Sequence, residues 1–323
     1  MIDSTFNKEK LQAFGFPVIE NISDISYRLL ISERLLFKMS KFSEKYYKSF
    51  TIPKKGGGIR DISSPSYSLR VIQSWILVDI LDKVPISDTS MGFRRGNKFG
   101  IKPNAQKHCG SDYVLKMDLK DFFPSINRFK VYSIFKNIGY SQFISNVLTN
   151  YCLYNDSVPQ GASTSPMISN IVFRNIDQNI QDYCNNNSII YTRYADDMIF
   201  SSYNRSNLED LKSIVKKMVE NEGYNINTKK TRLMQPSGRK IVTGLVINSG
   251  NTKVLRDIKR NIRAAIYNDI IKENGRLSKK TLGYLAYIQS IESEKYEKLL
   301  TYIRKLQEGK KQTQLFQQEK FVG

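Results

Sequence analysis

The sequence predicts an α+β fold followed by an all-α appendix. Strand-like segments and apolar stripes at helical spacing alternate along the first three quarters of the chain. Beyond about residue 247 only helical spacing remains, and no internal repeat or low-complexity tract breaks this order.

Taken in order, residues 1–48 read as an N-terminal helical extension, with Leu29, Leu30, Leu35, Leu36 and Met39 as its apolar face. Ser49-Phe50-Thr51-Ile52 and Ile59-Arg60-Asp61-Ile62 flank a basic glycine-rich turn, Lys54-Lys55-Gly56-Gly57-Gly58, which predicts a hairpin. Leu69, Ile72, Ile76, Leu77, Ile80 and Leu81 mark a helix. From Tyr113 to Leu119 the residues alternate, so a strand presents Asp118 on the face opposite Leu115 and Met117. Ser165-Pro166 opens a helix, with serine as N-cap, whose stripe is Ile168, Ile171, Val172, Ile176 and Ile180. Two short strands, from Ile189 to Tyr194 and from Met198 to Ser202, join around Ala195-Asp196-Asp197. A helix over 206–221, a strand near 241–247 and a helical remainder to 311 follow, then a mobile polar tail over 312–323.

The net charge is +20, and 19 Tyr and 17 Phe are available for stacking, so nucleic acid is the leading partner class. A basic solvated surface alone is the plainer alternative. No apolar run approaches the ~20 residues of a spanning helix, and MIDSTFNKEK lacks an apolar signal core, so neither a membrane nor secretion is expected. Cys109, Cys152 and Cys184 are far apart with one histidine in the chain, which excludes a zinc-finger spacing or a disulfide framework. They read as buried small hydrophobes in a reducing cytosol.

Three aspartates stand out. Asp118 ends a strand, and Asp196 and Asp197 occupy a hairpin tip. Adjacent carboxylates repel unless a cation lies between them, and an all-oxygen cluster suits Mg²⁺. Two such ions would activate a hydroxyl and stabilise a leaving oxygen in phosphoryl transfer. An Asp-Asp pair by itself is also what a solvated turn carries. Here apolar flanks, Ile189-Ile190-Tyr191 and Met198-Ile199-Phe200, bury the supports and leave the acids at the exit.

Tyr194-Ala195-Asp196-Asp197 resembles the YADD box of reverse transcriptases. Asp118-Leu119-Lys120-Asp121-Phe122-Phe123 resembles their first catalytic block, the run from Pro159 to Pro166 (PQGASTSP) their template-and-nucleotide block, and Asn227-Thr228-Lys229-Lys230-Thr231 their later lysine block. All four stand in family order. Asn104-Ala105-Gln106-Lys107-His108 and Val242-Thr243-Gly244 resemble two further elements of the bacterial retron branch.

The resemblance implies a right-hand polymerase: fingers and palm over 49–247, with an RRM-like antiparallel sheet plus helices, and an all-α thumb over 248–311. It implies that Asp118, Asp196 and Asp197 are catalytic and hold two Mg²⁺ ions, with the Leu119 backbone carbonyl as a further ligand. Lys54 or Lys55, with Arg60, would reach the triphosphate. Asp121, Phe122 and Phe123 would line the nucleotide site, Phe123 as a steric gate against the ribose 2′-hydroxyl. Gln160 and Gly161 would shape the floor between template and nucleotide. Lys230 would be a general acid or phosphate contact near pyrophosphate. Asn104 and His108 would support the fold or contact RNA, and Val242, Thr243 and Gly244 would lie along the nucleic-acid path.

The segment from Asn251 to Lys311 carries 15 Lys+Arg against 7 Asp+Glu. Val254, Ile258, Ile262, Ile266 and Ile270 recur every fourth residue, and Lys253, Arg256, Arg260 and Arg263 form a neighbouring stripe. One face can pack while the other tracks the phosphates of an RNA–DNA hybrid. A solvated basic face is the alternative reading.

The expected reaction is RNA-directed DNA synthesis from dNTPs. Resemblance to retrons further implies a cognate noncoding RNA (msr–msd) as template and primer, and multicopy single-stranded DNA (msDNA) as product. It also implies removal of RNA by a host RNase H and a separate effector protein in anti-phage defence. Two alternatives stay open: an intron- or CRISPR-associated reverse transcriptase, and a non-catalytic RNA-binding scaffold of polymerase shape.

Overall fold

The computed structural model describes residues 6–54, 57–273 and 275–319. The chain is mixed helix and sheet, as the alternating pattern requires, and it gathers into two units. The first holds the residues up to 95 together with 115–232, and the second 96–114 together with 233 onward.

Three helices begin the first unit, α1 (Lys8–Ala13), α2 (Ile22–Leu29) and α3 (Glu33–Lys41). Asn7 caps α1, and a reciprocal capping box between Asn21 and Asp24 starts α2. Strands β1 (Tyr47–Pro53) and β2 (Ile59–Pro65) pair antiparallel from Tyr47↔Pro65 to Pro53↔Ile59. Their side chains are mostly exposed, so the basic hairpin is a two-stranded ribbon. Helix α4 (Tyr67–Trp75) follows, with Ser66 accepting from the Leu69 N–H.

Helix α5 (Ile101–Lys107) belongs to the second unit, and β3 (Tyr113–Lys120) leads back into the first. Then come α6 (Arg128–Ile138), α7 (Gln142–Cys152), α8 (Ser165–Val172), α9 (Arg174–Asn186), β4 (Ile190–Tyr194), β5 (Asp197–Ser202), α10 (Arg205–Asn221), β6 (Asn225–Ile226) and β7 (Arg232–Met234). Strand order β4-β5-β3-β6 is that of an RRM-like split βαβ sheet, with β3 and β5 in the middle. A middle strand is covered on both faces, which is why Met198, Ile199 and Phe200 are buried in succession. Helices α9 and α10 turn Ile176, Ile180, Cys184 and Leu208, Leu211, Val215, Val219 inward at helical spacing.

Two local expectations change. The helix expected to run through Val172 and Ile180 breaks at Phe173 into α8 and α9. Ser165 is the first residue of α8 rather than its cap, because its hydroxyl donates to the Pro159 carbonyl at 2.7 Å.

The second unit adds β8 (Ile241–Val242), β9 (Leu245–Val246), β10 (Lys253–Val254), α11 (Arg256–Tyr267), α12 (Lys279–Ile291) and α13 (Ser293–Glu319). The backbone stays helical to Glu319, past residue 312 where a mobile tail is expected; residues 320–323 of that tail lie outside the described residues. Helices α11, α12 and α13 pack on one another, and Ile262, Ile266 and Ile270 are buried as their spacing predicts. Ile258 is only half-buried, and Val254 is buried on strand β10, where a helix is expected. Among the described residues no helix is long and apolar enough to cross a membrane.

Candidate active site

The carboxylates are brought together by backbone hydrogen bonds at the exits of the middle strands. The Leu119 N–H donates to the Asp196 carbonyl at 2.9 Å, fixing the β4–β5 turn to the end of β3. The Asn227 N–H donates to the Asp118 carbonyl at 2.7 Å, which brings the lysine block alongside. Asp118 is only 3% exposed. Burial, with the negative charge of Asp197 and then Asp118, pushes the Asp196 carboxyl above its ordinary pKa.

Two lysines answer this charge. Lys230 Nζ donates to Asp118 Oδ2 at 2.9 Å, and Lys116 Nζ to Asp197 Oδ2 at 2.6 Å. Desolvation alone would lower the Lys230 pKa. The hydrogen bond and charge of Asp118, with Asp196 and Asp197 beyond, raise it above its ordinary value. Lys116 lies two residues before Asp118 on β3, so alternation points both side chains the same way. Its role was not anticipated from the sequence, where it reads as one more strand residue.

The donor set fits a hard divalent cation, since every ligand it offers is oxygen. Asp118 Oδ1 is buried with no hydrogen-bond partner, an oxygen that needs a positive partner in a polar, acid-rich place. Among the described residues no three His, Cys, Asp or Glu side chains form a ready-made metal cage. Asp118 and Asp197 each rest on a lysine instead.

A buried polar network holds the acidic turn. Arg193, on β4 and fully buried, donates from Nε and Nη2 to the two carboxylate oxygens of Asp177 on α9, at 2.9 and 2.6 Å. Its Nη1 donates to the Ala195 carbonyl at 3.0 Å and to Asn170 Oδ1 at 3.3 Å. Asn170 Nδ2 in turn donates to the Gly92 carbonyl, and a Cβ on Gly92 would come within 3.0 Å of the Ala195 nitrogen. Ala195 sits at φ +56°, a conformation L-residues adopt at a cost, so these contacts hold the turn that carries Asp196. The guanidinium lies 4.7 Å from the Phe173 ring centre. Burial by itself would lower the Arg193 pKa, but the Asp177 carboxylate raises it further and keeps the group charged. The sequence held one signal of this network: a single cation in the strand Ile190-Tyr191-Thr192-Arg193-Tyr194.

Of the expected nucleotide-site residues, Asp121 is exposed at φ +47° on the turn after β3. Phe123 is half-buried, with its ring 6.3 Å from that of Phe93. Phe122 is a correction: it is buried in an aromatic cluster with Phe173 and Tyr224, so it supports the site from beneath and does not line it. Gly161, at φ +130°, makes its close approach to strand β2: an added Cβ would lie 2.8 Å from the Ser63 carbonyl oxygen. The Ser63 N–H donates to the Gln160 carbonyl at 2.8 Å, tying this segment to the hairpin that carries Arg60. Lys54 and Arg60 are exposed on that ribbon, and Lys55 lies outside the described residues.

In the second unit the two retron-like elements pack on each other. Helix α5, carrying Asn104 and His108 at its end, lies against β8 and β9. Thr243 and Gly244 form the β8–β9 hairpin turn, both at positive φ, and the Thr243 hydroxyl donates to the Ile101 carbonyl at 2.9 Å. Asn104, His108 and Val242 are fully buried, which favours the fold-support alternative for Asn104 and His108 and takes the Val242 side chain away from a nucleic-acid path. Burial, aided by the charge of Lys107, lowers the His108 pKa to about 3, so its ring is neutral. Gly244 is exposed. Lys253, Arg256, Arg260 and Arg263 are all exposed as their stripe predicts. Arg260 pairs with Asp257, and Arg263 lies over the Tyr302 ring. Cys152 and Cys184 are buried, with thiols pushed up to about 12 by desolvation, whereas Cys109 is half-buried.

Residues 52–288 match the family model described as reverse transcriptase (RNA-dependent DNA polymerase). The chain is 35% identical over 303 residues to the Retron Ec86 reverse transcriptase of Escherichia coli, covering 93% of this chain and 94% of that one. It is 29% identical to the Retron Mx65 reverse transcriptase of Myxococcus xanthus, covering 91% and 73%. Among solved structures, the apo telomerase of Candida tropicalis truncated from its C-terminal domain aligns with a TM-score of 0.44 and 16% identity, over 71% of this chain and 60% of that chain.

Proposed function

Because the chain belongs to the retron reverse transcriptases, and is therefore an RNA-directed DNA polymerase, we propose that it copies part of a cognate msr–msd RNA into msDNA. Synthesis starts from the 2′-hydroxyl of an internal guanosine and consumes dNTPs, leaving DNA joined to RNA by a 2′,5′ linkage. Host RNase H trims the template, and the RNA–DNA–protein complex works in the cytoplasm with a separate effector protein in anti-phage defence. Support for this finer reading comes from the names of the relatives and from the Asn104–His108 and Val242–Gly244 elements.

Reverse transcriptases work with divalent metal ions, and Mg²⁺ suits the oxygen donors here. Asp118, Asp196 and Asp197 would hold two such ions, with the Leu119 carbonyl as a further ligand. When bound, the metal lowers the pKa of the attacking hydroxyl and stabilises charge on the leaving oxygens. The chain's own residues do the rest. Lys230, beside Asp118, would serve as general acid or phosphate contact for the leaving pyrophosphate. Arg60 and Lys54, on the exposed ribbon, bind the triphosphate, with Gln160 and Gly161 beside β2 as the floor. Phe123 closes the space a ribose 2′-hydroxyl would fill. Lys253, Arg256, Arg260 and Arg263 track phosphates, the thumb's part in binding.

The observation that carries the reading is the electrostatic convergence of three carboxylates, with an unpartnered Asp118 oxygen among them. To test it, the protein is purified from its host and the co-purifying nucleic acid is sequenced, for the parent and for Asp196→Asn. Branched RNA-linked DNA is expected with the parent, and RNA alone with the variant. DNA made by the variant would remove the mechanism, and unbranched products from the parent would remove the retron-specific part.

A further inference from the structure

On the first unit, a groove of about 760 Å³ lies between α1, the segment around Val84, α6 and the end of α8, and it shares no residue with the catalytic centre. Ile134, Ile138 and Ile171 contribute an apolar floor. Phe14 and Phe129 stand on its rim with 67% and 74% of their surface exposed.

The rim is cationic and already built. Lys10, Lys83, Lys130 and Arg174 line it against one carboxylate, Glu222. Three of these ammonium groups are held by carbonyls of other segments: Lys10 Nζ on Asn137 at 2.7 Å, Lys83 Nζ on Gly15 at 2.5 Å, and Lys130 Nζ on Glu222 at 2.7 Å. Lys130 also sits 3.7 Å from the centre of the Tyr224 ring. Each ammonium keeps further N–H donors for a ligand, and little rotamer entropy remains to be lost on binding. Desolvation lowers the Lys130 pKa, with the charge of Glu222 acting against it.

We propose that this groove binds a single-stranded segment of RNA, away from the strand being copied. Exposed rings separated by fixed cations over an apolar floor match alternating bases and phosphates. An acidic amphipathic helix would instead need a continuous apolar stripe, whereas four cations are interspersed among the apolar residues that line this groove. The proposal goes beyond the msDNA reading and needs only that the enzyme meets RNA.

The test fills the copying cleft with unlabelled poly(rA)·oligo(dT) and then adds a fluorescent 12-nucleotide oligocytidylate carrying one 4-thiouridine, which pairs with neither strand. Ultraviolet crosslinks are expected in the peptides around Phe14 and Phe129. Lys10→Gln with Arg174→Gln should reduce the slope of log affinity against log salt by about 1.4, at ~0.7 for each phosphate left without its cation. Phe129→Ala, at an exposed ring that folding does not need, should weaken binding roughly tenfold. Extension of poly(rA)·oligo(dT) should stay within twofold for all of them. Crosslinks confined to other peptides, or an unchanged salt slope, would overturn the proposal and leave the groove to a protein partner. Neither result touches the msDNA reading, which is decided by sequencing the bound nucleic acid.

Discussion

Arg193→Leu would remove four hydrogen bonds at once and leave the Asp177 carboxylate buried without its counter-charge. Breaking a buried pair from one side costs about 3–5 kcal/mol, because the abandoned ion keeps its desolvation penalty. The Tyr191 hydroxyl still donates to Asp177 Oδ1 at 2.7 Å, which offsets part of that loss and argues for the lower half of the range. For a unit of this size, each kcal/mol lowers Tm by about 2–4 °C, so a fall of roughly 6–15 °C is expected. A domain stable by about 5–15 kcal/mol survives it.

Thermal unfolding by circular dichroism reads the stability term. Arg193→Lys separates folding from function: a lysine can pair with Asp177 but cannot also reach the Ala195 carbonyl with fixed geometry. It should recover much of the Tm, while kcat on poly(rA)·oligo(dT) stays at least tenfold down and KM for template changes little. In a double-mutant cycle with Asp177→Leu, the coupling should exceed about 2 kcal/mol. A coupling within about 0.5 kcal/mol of zero, or a lysine variant with parental kcat, would refute the idea that this pair holds the acidic turn.

Phe123→Ala should relax exclusion of ribonucleotides, seen as a fall in the ratio of kcat/KM for dNTP over rNTP; an unchanged ratio would rule out the gate. Neutralising Lys253, Arg256, Arg260 and Arg263 together should flatten the salt dependence of hybrid affinity by ~0.7–0.9 log units for each phosphate no longer neutralised. Arg260, already paired with Asp257, should contribute least of the four. For His108 the folded pKa of about 3 lies below its unfolded value of 6.5, so the unfolded chain takes up the proton first as pH falls. Stability is therefore full above pH 6.5 and drains as pH drops toward 3; a Tm–pH curve should show this, and His108→Gln should flatten it.

Much of the fold was legible because its rules are local. Alternation around Asp118, the hairpin at Lys54–Gly58 and the four-residue recurrence from Val254 to Ile270 each report a burial pattern a few residues long. The acids were legible for the same reason, since apolar flanks on both sides of Asp196 and Asp197 mark a turn leaving a core. What stayed hidden depends on distant partners. Ser165 looks like a cap until the Pro159 carbonyl claims its hydroxyl, and nothing near Gly161 in the sequence announces its close approach to Ser63. For Asn104 and His108 the sequence left fold support and RNA contact both open, and only the packing of α5 against the β8–β9 hairpin, which buries them, favours the first.

The same distinction explains how an acidic centre survives folding before any cation arrives. Burial first, and then the negative charges of Asp197 and Asp118, hold the Asp196 carboxyl above its ordinary pKa. Lys116 and Lys230 come from two separate segments and take one acid each, so the turn can close without a metal. Lys230 is exposed along its stem and bound only through its tip to Asp118. Arg193 can play no such part: its charge is spent inside the protein, on Asp177 and the Ala195 carbonyl. The two lysines and the buried arginine thus divide two tasks that a single cation could not combine, screening the acids and holding their backbone.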